Sequence, residues 1–296
     1  MLARLIATMV LATSCVLGPS VAFADSPNRI TVLYDAFGKP SELKKDFGFA
    51  ALVEFGGKRI LFDAGNDAKI FEHNVKSLGI DLKNIDCVVI SHRHGDHTTG
   101  LRYLQTVNPG TLVYVPADEH FGGVTPPGMY RRGVESLPKH MRYFDGTMPK
   151  AVPHGTAWEG VNFKLVEESR EIMPGVSLIC TTSNAPGTME LKELSLSLRT
   201  PEGQILVVGC SHPGIEAILQ KAAATERPVQ LIVGGLHLVK TPEPEIESLA
   251  TSLRDKWKIA KLAVGHCTSE PGFAALQKIF EERYIYAGLG TVLPLP

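Results

Sequence analysis

No block of lysine or arginine marks this sequence, and 30 basic against 31 acidic side chains leave a formal net charge of -1. A protein that tracks a phosphate backbone normally carries a basic footprint, so nucleic acid is not an expected partner. Acidic tails and low-complexity tracts are absent as well. Cysteine is scarce: 5 in 296 residues is too few for a disulfide scaffold. The segment "GCSHPG" does not match the Gly-x-Ser-x-Gly elbow that serine hydrolases use, which argues against that chemistry. One long apolar run is present, at the N-terminus, and no internal repeat or linker-like composition divides the chain beyond it.

That run reads as a secretory leader. A short basic start ending at Arg4 precedes "LIATMVLATSCVLG", and Ala22-Phe23-Ala24 offers a small-x-small cleavage site before Asp25. A membrane anchor needs about 18 or more apolar residues, and Gly18-Pro19-Ser20 interrupts the run too early. Cys15 after Ala-Thr-Ser is a poor lipoprotein signal. The expectation is a signal peptide over 1–24, cleavage after Ala24, and a periplasmic or secreted protein that is off the membrane thereafter. Cys87, Cys180, Cys210 and Cys267 remain in the mature chain.

With 44% hydrophobic and 21% charged residues, the sequence has the composition of a soluble globular protein, and residues 25–296 read as one α/β domain. "RITVLYDAF", "FAALVEF" and "KRILFDAG" read as strands, the last two joined at Gly56-Gly57. "DAKIFEHNVKSLGI" has helical periodicity. From about 120 to 160 the pattern dissolves into Pro, Gly and mixed polar residues, including Tyr130, Arg131, Arg132 and His140, as in a flap over a binding site. Strands resume with "NFKLVEES", "VSLICTTS" and the hairpin "ELSLSLRTPEGQILVVGCSH", after which helices and strands alternate to the end.

The densest chemistry lies in "CVVISHRHGDHTTGL", where a run of β-branched residues leads into three histidines and an aspartate. Residues 92, 94 and 96 alternate along an extended segment and can point the same way, with His97 at the following turn and a helix from Thr98. Imidazole nitrogen and carboxylate oxygen suit zinc and similar divalent ions. His92 and His94 can hold one ion while Asp96 and His97 hold another. "VVGCSH", "IVGGLH" and "AVGHC" repeat the theme, each running an apolar strand into glycine and then into His212, His237 or His266. One histidine at a strand end is usually structural; four strand ends together point to a site.

His92-x-His94-x-Asp96-His97 after an apolar strand, with the earlier "LFDAG", resembles the metallo-β-lactamase superfamily. "GCSHPGI", "GGLHL", "GHCT" and "AGLGTVL" are similar to its branch of methanopterin-related dihydropterin synthases and metal-dependent hydrolases. The resemblance implies a four-layer αβ/βα sandwich with two divalent ions, zinc foremost, at one edge. It implies that His92 and His94 bind the first ion and that Asp96, His97 and His266 bind the second. Asp63 of "LFDAG" is then an acid that orients ligands. Two departures matter. Many members complete the first site with the histidine of Pro-Gly-His-Thr, where this chain has Thr188 in "APGTMELKEL", and Cys210 stands where a bridging aspartate is usual. Cys210 and His212 can each fill that vacancy; His212 is the ligand expected, with Cys210 a buried neighbour or a group that orients it, and His237 a substrate contact or further ligand.

The chemistry expected of such a site is hydrolysis of an ester, lactone, lactam or phosphoester bond in a small-molecule substrate, with Asp96 steering or deprotonating the water. A pterin-related synthase and a metal- or ligand-binding protein without turnover are the alternatives. A redox member of the superfamily needs a flavin domain, for which no chain remains. Oligomeric state is left open.

Overall fold

A computed structural model describes residues 28–118, 160–185 and 190–296, with a few positions between 119 and 159. The expected leader, the tip of the expected flap and residues 186–189, which include Thr188, lie outside the described residues.

β-Branched and aromatic runs form the strands. β1 (Arg29–Tyr34), β2 (Ala50–Phe55) and β3 (Lys58–Phe62) make an antiparallel meander. Gly56 and Gly57 turn the second hairpin with φ of 57° and 73°, values that cost glycine little. Helix α1 (Ala68–Ser77) comes next, capped by Asp67, whose carboxylate accepts from the N–H groups of Lys69 and Ile70. It leads to β4 (Cys87–Val89), a single turn α2 (Gly95–Thr98), α3 (Leu101–Val107) and β5 (Leu112–Pro116). A short ribbon pairs β6 (Val124–Thr125) with β7 (Val152–Pro153).

β8 (Asn162–Val166) completes one side of the first sheet. β9 (Arg170–Met173), β10 (Val176–Ser183), β11 (Leu191–Thr200) and β12 (Gly203–Val208) then form a second antiparallel run. The remainder alternates: α4 (Ile215–Ala222), β13 (Val229–Gly235), α5 (Glu243–Asp255), β14 (Lys261–Gly265), α6 (Glu270–Phe280) and β15 (Val292–Pro294). Among the described residues no helix is long and apolar enough to cross a membrane.

Two mixed sheets result, ordered β15-β1-β2-β3-β4-β5-β8 and β14-β13-β12-β11-β10-β9. Their facing sides share one core, in which Val32, Phe62 and Val89 of the first sheet meet Leu196, Val207 and Val233 of the second. Each outer face carries helices. Phe71, Val75 and Leu104 cover the first sheet, and Ile218, Ile246, Leu253 and Phe280 cover the second. The expected αβ/βα sandwich is the observed one. Within each sheet the later strands are parallel (β3-β4-β5-β8 and β12-β13-β14), so their C-terminal ends open along one edge, where α/β proteins place their sites.

Candidate metal centre

Five of these strands run out of apolar residues at this edge and deliver polar ones. β3 leads into Asp63, β4 into Ser91 and His92, β12 into Cys210 and His212, β13 into His237, and β14 into His266. Asp63, Ser211, His237 and His266 adopt φ between 50° and 65°, left-handed backbone that is uncommon for residues other than glycine. Such conformations persist where the surroundings over-determine them, and they gather at functional sites.

The extended segment expected through residue 96 ends at His94. Residues 95–98 instead wind one helical turn, and α3 starts at Leu101 rather than at Thr98. The turn swings His97 inward, where Nδ1 lies 2.7 Å from Asp63 Oδ2. Facing a carboxylate, that nitrogen must carry the proton, so Nε2 is the one turned towards the site. His92 is fixed in the same way. Ser91 Oγ spends its single proton on Asp63 Oδ2 at 2.7 Å, so His92 Nδ1, 2.8 Å from Ser91 Oγ, donates to it. His212 Nδ1 sits 3.1 Å from Glu193 Oε2, and Glu193 also accepts the N–H groups of Cys210, Ser211 and His212. Three imidazoles therefore have Nδ1 tied back into a buried carboxylate network and turn Nε2 outward, the arrangement that orients metal-binding histidines.

Three groups of donors converge. Asp96, His97, Cys210 and His266 form one, His92, Cys210 and His212 a second, and Cys210, His237 and Cys267 a third, with ligand atoms in each group within 4.8 Å of one another. His97 Nε2 and His266 Nε2 are 3.1 Å apart, and Cys210 Sγ is 3.2 Å from each. Asp96 Oδ2 approaches both imidazoles at 3.5 Å. The exposed His94 joins from the side, its Nδ1 3.1 Å from His92 Nε2. Burial opposes an imidazolium at His97, yet the carboxylates of Asp63 and Asp96 hold its pKa well above the usual range. Burial likewise opposes charge on Asp96, but His97 and His266 keep it ionised far below the ordinary carboxylate range. His92, buried and crowded by imidazoles, stays neutral. Nitrogen, sulfur and carboxylate oxygen brought this close fit a divalent cation, and the basicity that draws a proton to His97 serves a metal equally.

A profile of the metallo-β-lactamase superfamily matches residues 43–221. The chain belongs to the metallo-β-lactamase superfamily. It is 28% identical over 275 residues to the 7,8-dihydropterin-6-methyl-4-(β-D-ribofuranosyl)-aminobenzene-5'-phosphate synthase of Methanocaldococcus jannaschii, covering 84% of this chain and 88% of that protein. A solved metal-dependent hydrolase of the β-lactamase superfamily superposes with a TM-score of 0.69 at 26% identity, over 90% of this chain and 99% of that one. The short form of human tRNase Z shares the fold alone, at a TM-score of 0.52 and 14% identity over 90% of this chain and 99% of that one.

Of the residues that sequence reasoning singled out, the structure brings His92, His94, Asp96, His97, His212 and His266 together at one sheet edge, with Asp63 directly behind. His237 is exposed, its ring centroid 4.2 Å from that of His212. Sequence reasoning set Cys210 behind His212, whereas the geometry puts its sulfur among the donors. Two carboxylates were missed. Glu193 lies in a strand whose pattern is otherwise apolar alternation, and Asp35 directly succeeds β1. Asp35 accepts the N–H of His266 at 3.0 Å and so holds the turn that carries this histidine. Burial pushes its carboxyl up to about 8, against the N–H groups of His266, Ala36 and Phe37. The sequence offered for Asp35 only an acid directly after an apolar strand, and for Glu193 no signal at all.

Proposed function

We propose that this member of the superfamily is an exported hydrolase that cleaves an ester, lactone, lactam or phosphoester bond in a small molecule. The supporting observation is the set of three imidazoles oriented through Nδ1, converging with Asp96 and His266 at one sheet edge. His92, His94 and His212 would hold one divalent ion, and Asp96, His97 and His266 a second, with zinc the best match to nitrogen-rich donors. Bound there, such ions lower the pKa of water towards ~7 and polarise a carbonyl or phosphoryl oxygen. Asp96 is half-buried and ionised, so it accepts a hydrogen bond from the attacking water and orients it. Asp63 and Glu193 keep the imidazoles from turning. Phe47 is 48% exposed and its ring lies 4.8 Å from that of His266, which makes it an apolar wall for the substrate.

The test is metal analysis of the purified mature protein, then a panel of phosphodiester, ester, lactone and lactam substrates. Two divalent ions per chain and hydrolysis of one class are expected, and Asp96→Asn should lose turnover together with the second ion. Full activity in metal-free protein would falsify this reading. Export predicts an N-terminus at Asp25 by intact mass from the native host; a retained leader or a lipid on Cys15 refutes it. A second reading, synthase chemistry on a pterin, draws on the relative matched over 84% of the chain. Formation of that relative's named product, with no hydrolysis across the panel, would favour it.

A further inference from the structure

Cys210 is the one residue common to all three donor groups at this edge: with His92 and His212, with Asp96, His97 and His266, and with His237 and Cys267. It is only 3% exposed, yet the atoms around its sulfur are not those of an apolar core. His97 Nε2 and His266 Nε2 each stand 3.2 Å from Sγ, and donors of His92 and His212 lie within 4.8 Å of it. The backbone is built to aim it there. Three successive N–H groups, from Cys210 to His212, converge on the Glu193 carboxylate at 3.1, 2.7 and 2.8 Å, with Ser211 at φ 65°. That bend lets residues 210 and 212 both enter the site. A thiol kept for packing alone needs no such cradle.

We propose that Cys210 Sγ is a thiolate bridge shared by both ions, in the position where much of the superfamily uses an aspartate. The inference rests on the proposed two-metal hydrolase and adds to it the identity of the shared ligand. The thiol gives its proton to solvent when the sulfur takes a cation, and nothing is oxidised. Sulfur is a softer donor than carboxylate, so the exchange favours zinc over calcium or magnesium at both positions.

Cobalt(II) titration of the metal-stripped full-length mature protein tests this through a signal independent of turnover. A sulfur-to-cobalt charge-transfer band in the near ultraviolet is expected, growing across both the first and the second equivalent. Cys210→Asp, which restores the usual carboxylate, should still take up two cobalt ions and lose the whole band; Cys210→Ser should lose it too. Cys267 is the control, because its sulfur forms a neighbouring group with Cys210 and His237; Cys267→Ser should retain the band. A band that saturates after one equivalent makes Cys210 a terminal ligand and overturns the bridge. A band that survives in Cys210→Asp, or is missing from the native protein, overturns it also. Two bound ions without a sulfur band would remove the bridge but leave the hydrolase reading standing. A chain that binds no cobalt would remove both.

Discussion

At the scale of single residues, the site depends on groups that touch no substrate. Glu193 is fully buried and receives four donors from the loop 210–212. Glu193→Gln keeps the volume but turns an acceptor oxygen into an N–H₂ that faces other donors. It should cost about 1–3 kcal/mol of stability and weaken metal affinity roughly 10–100-fold; denaturant melts and competition with a metallochromic chelator measure each. An unchanged affinity would mean that His212 holds its orientation without Glu193. Gly209 is as constrained. A Cβ there would sit 2.2 Å from Ser91 Oγ and 3.1 Å from Asp63 Oδ2, so Gly209→Ala should disturb His92 and His97 through Asp63 and lower metal occupancy. His92, His94 and His97 were legible because their spacing is dense, and His212, His237 and His266 because each follows an apolar strand and a glycine. Glu193 and Asp35 were not, since each is a lone acid whose partners lie far away in sequence: Glu193 meets residues 210–212, and Asp35 meets His266, 231 positions on.

At the scale of elements, most of the fold could be read from periodicity. The glycine-to-histidine strand ends, the hairpin at Gly56-Gly57 and the amphipathic helices all obey local rules. What failed was local competition: the turn at 95–98 formed because inward contacts of His97 outweigh continued extension. Pairing order could not be read at all. β15 joins β1, and β8 joins β5 across the long 117–161 connection, pairings set by which edges remain open rather than by their own residues. Helices on the second sheet are tied by Glu216 of α4, which accepts from Ser252 Oγ of α5 at 2.6 Å and Trp257 Nε1 at 2.8 Å. Those hydrogen bonds hold its carboxyl below the ordinary glutamate range. Their contribution to stability is therefore present above the unfolded pKa and lost as pH falls through the lower, folded one. Glu216→Gln should cost about 0.5–1 kcal/mol at neutral pH, a small loss because solvent screens this partly exposed carboxylate. The gap to the native protein should close on acidification. A pH-independent gap in urea midpoints would assign the loss to packing instead.

At the scale of the whole molecule, the metal edge is also where the two sheets meet. Asp63, His92, Asp96 and His97 come from the first sheet and its loops, whereas Cys210, His212 and His266 come from the second. Apart from the apolar core, the sheets are joined here by Leu194 N–H donating to Ser91 O at 2.7 Å and by Asp35 holding the His266 turn. Ions bound by donors from both sheets would act as a staple, because the unfolded chain cannot present those donors together. At a hundredfold excess over the dissociation constant each ion stabilises by about 2.7 kcal/mol, so two together raise the melting temperature by roughly 10–20 °C for a chain of this size. Chelation should lower the melting temperature by that amount, and added zinc should restore it. His266→Ala and His92→Ala should each shrink the zinc-dependent increment, since either removes one sheet's hold on the ions. A surface histidine such as His73, which lies on α1 and contacts Glu42 O, should leave the increment intact when replaced. Equal melting temperatures with and without saturating zinc would show that no ion binds the folded chain in preference to the unfolded one, and would overturn the staple.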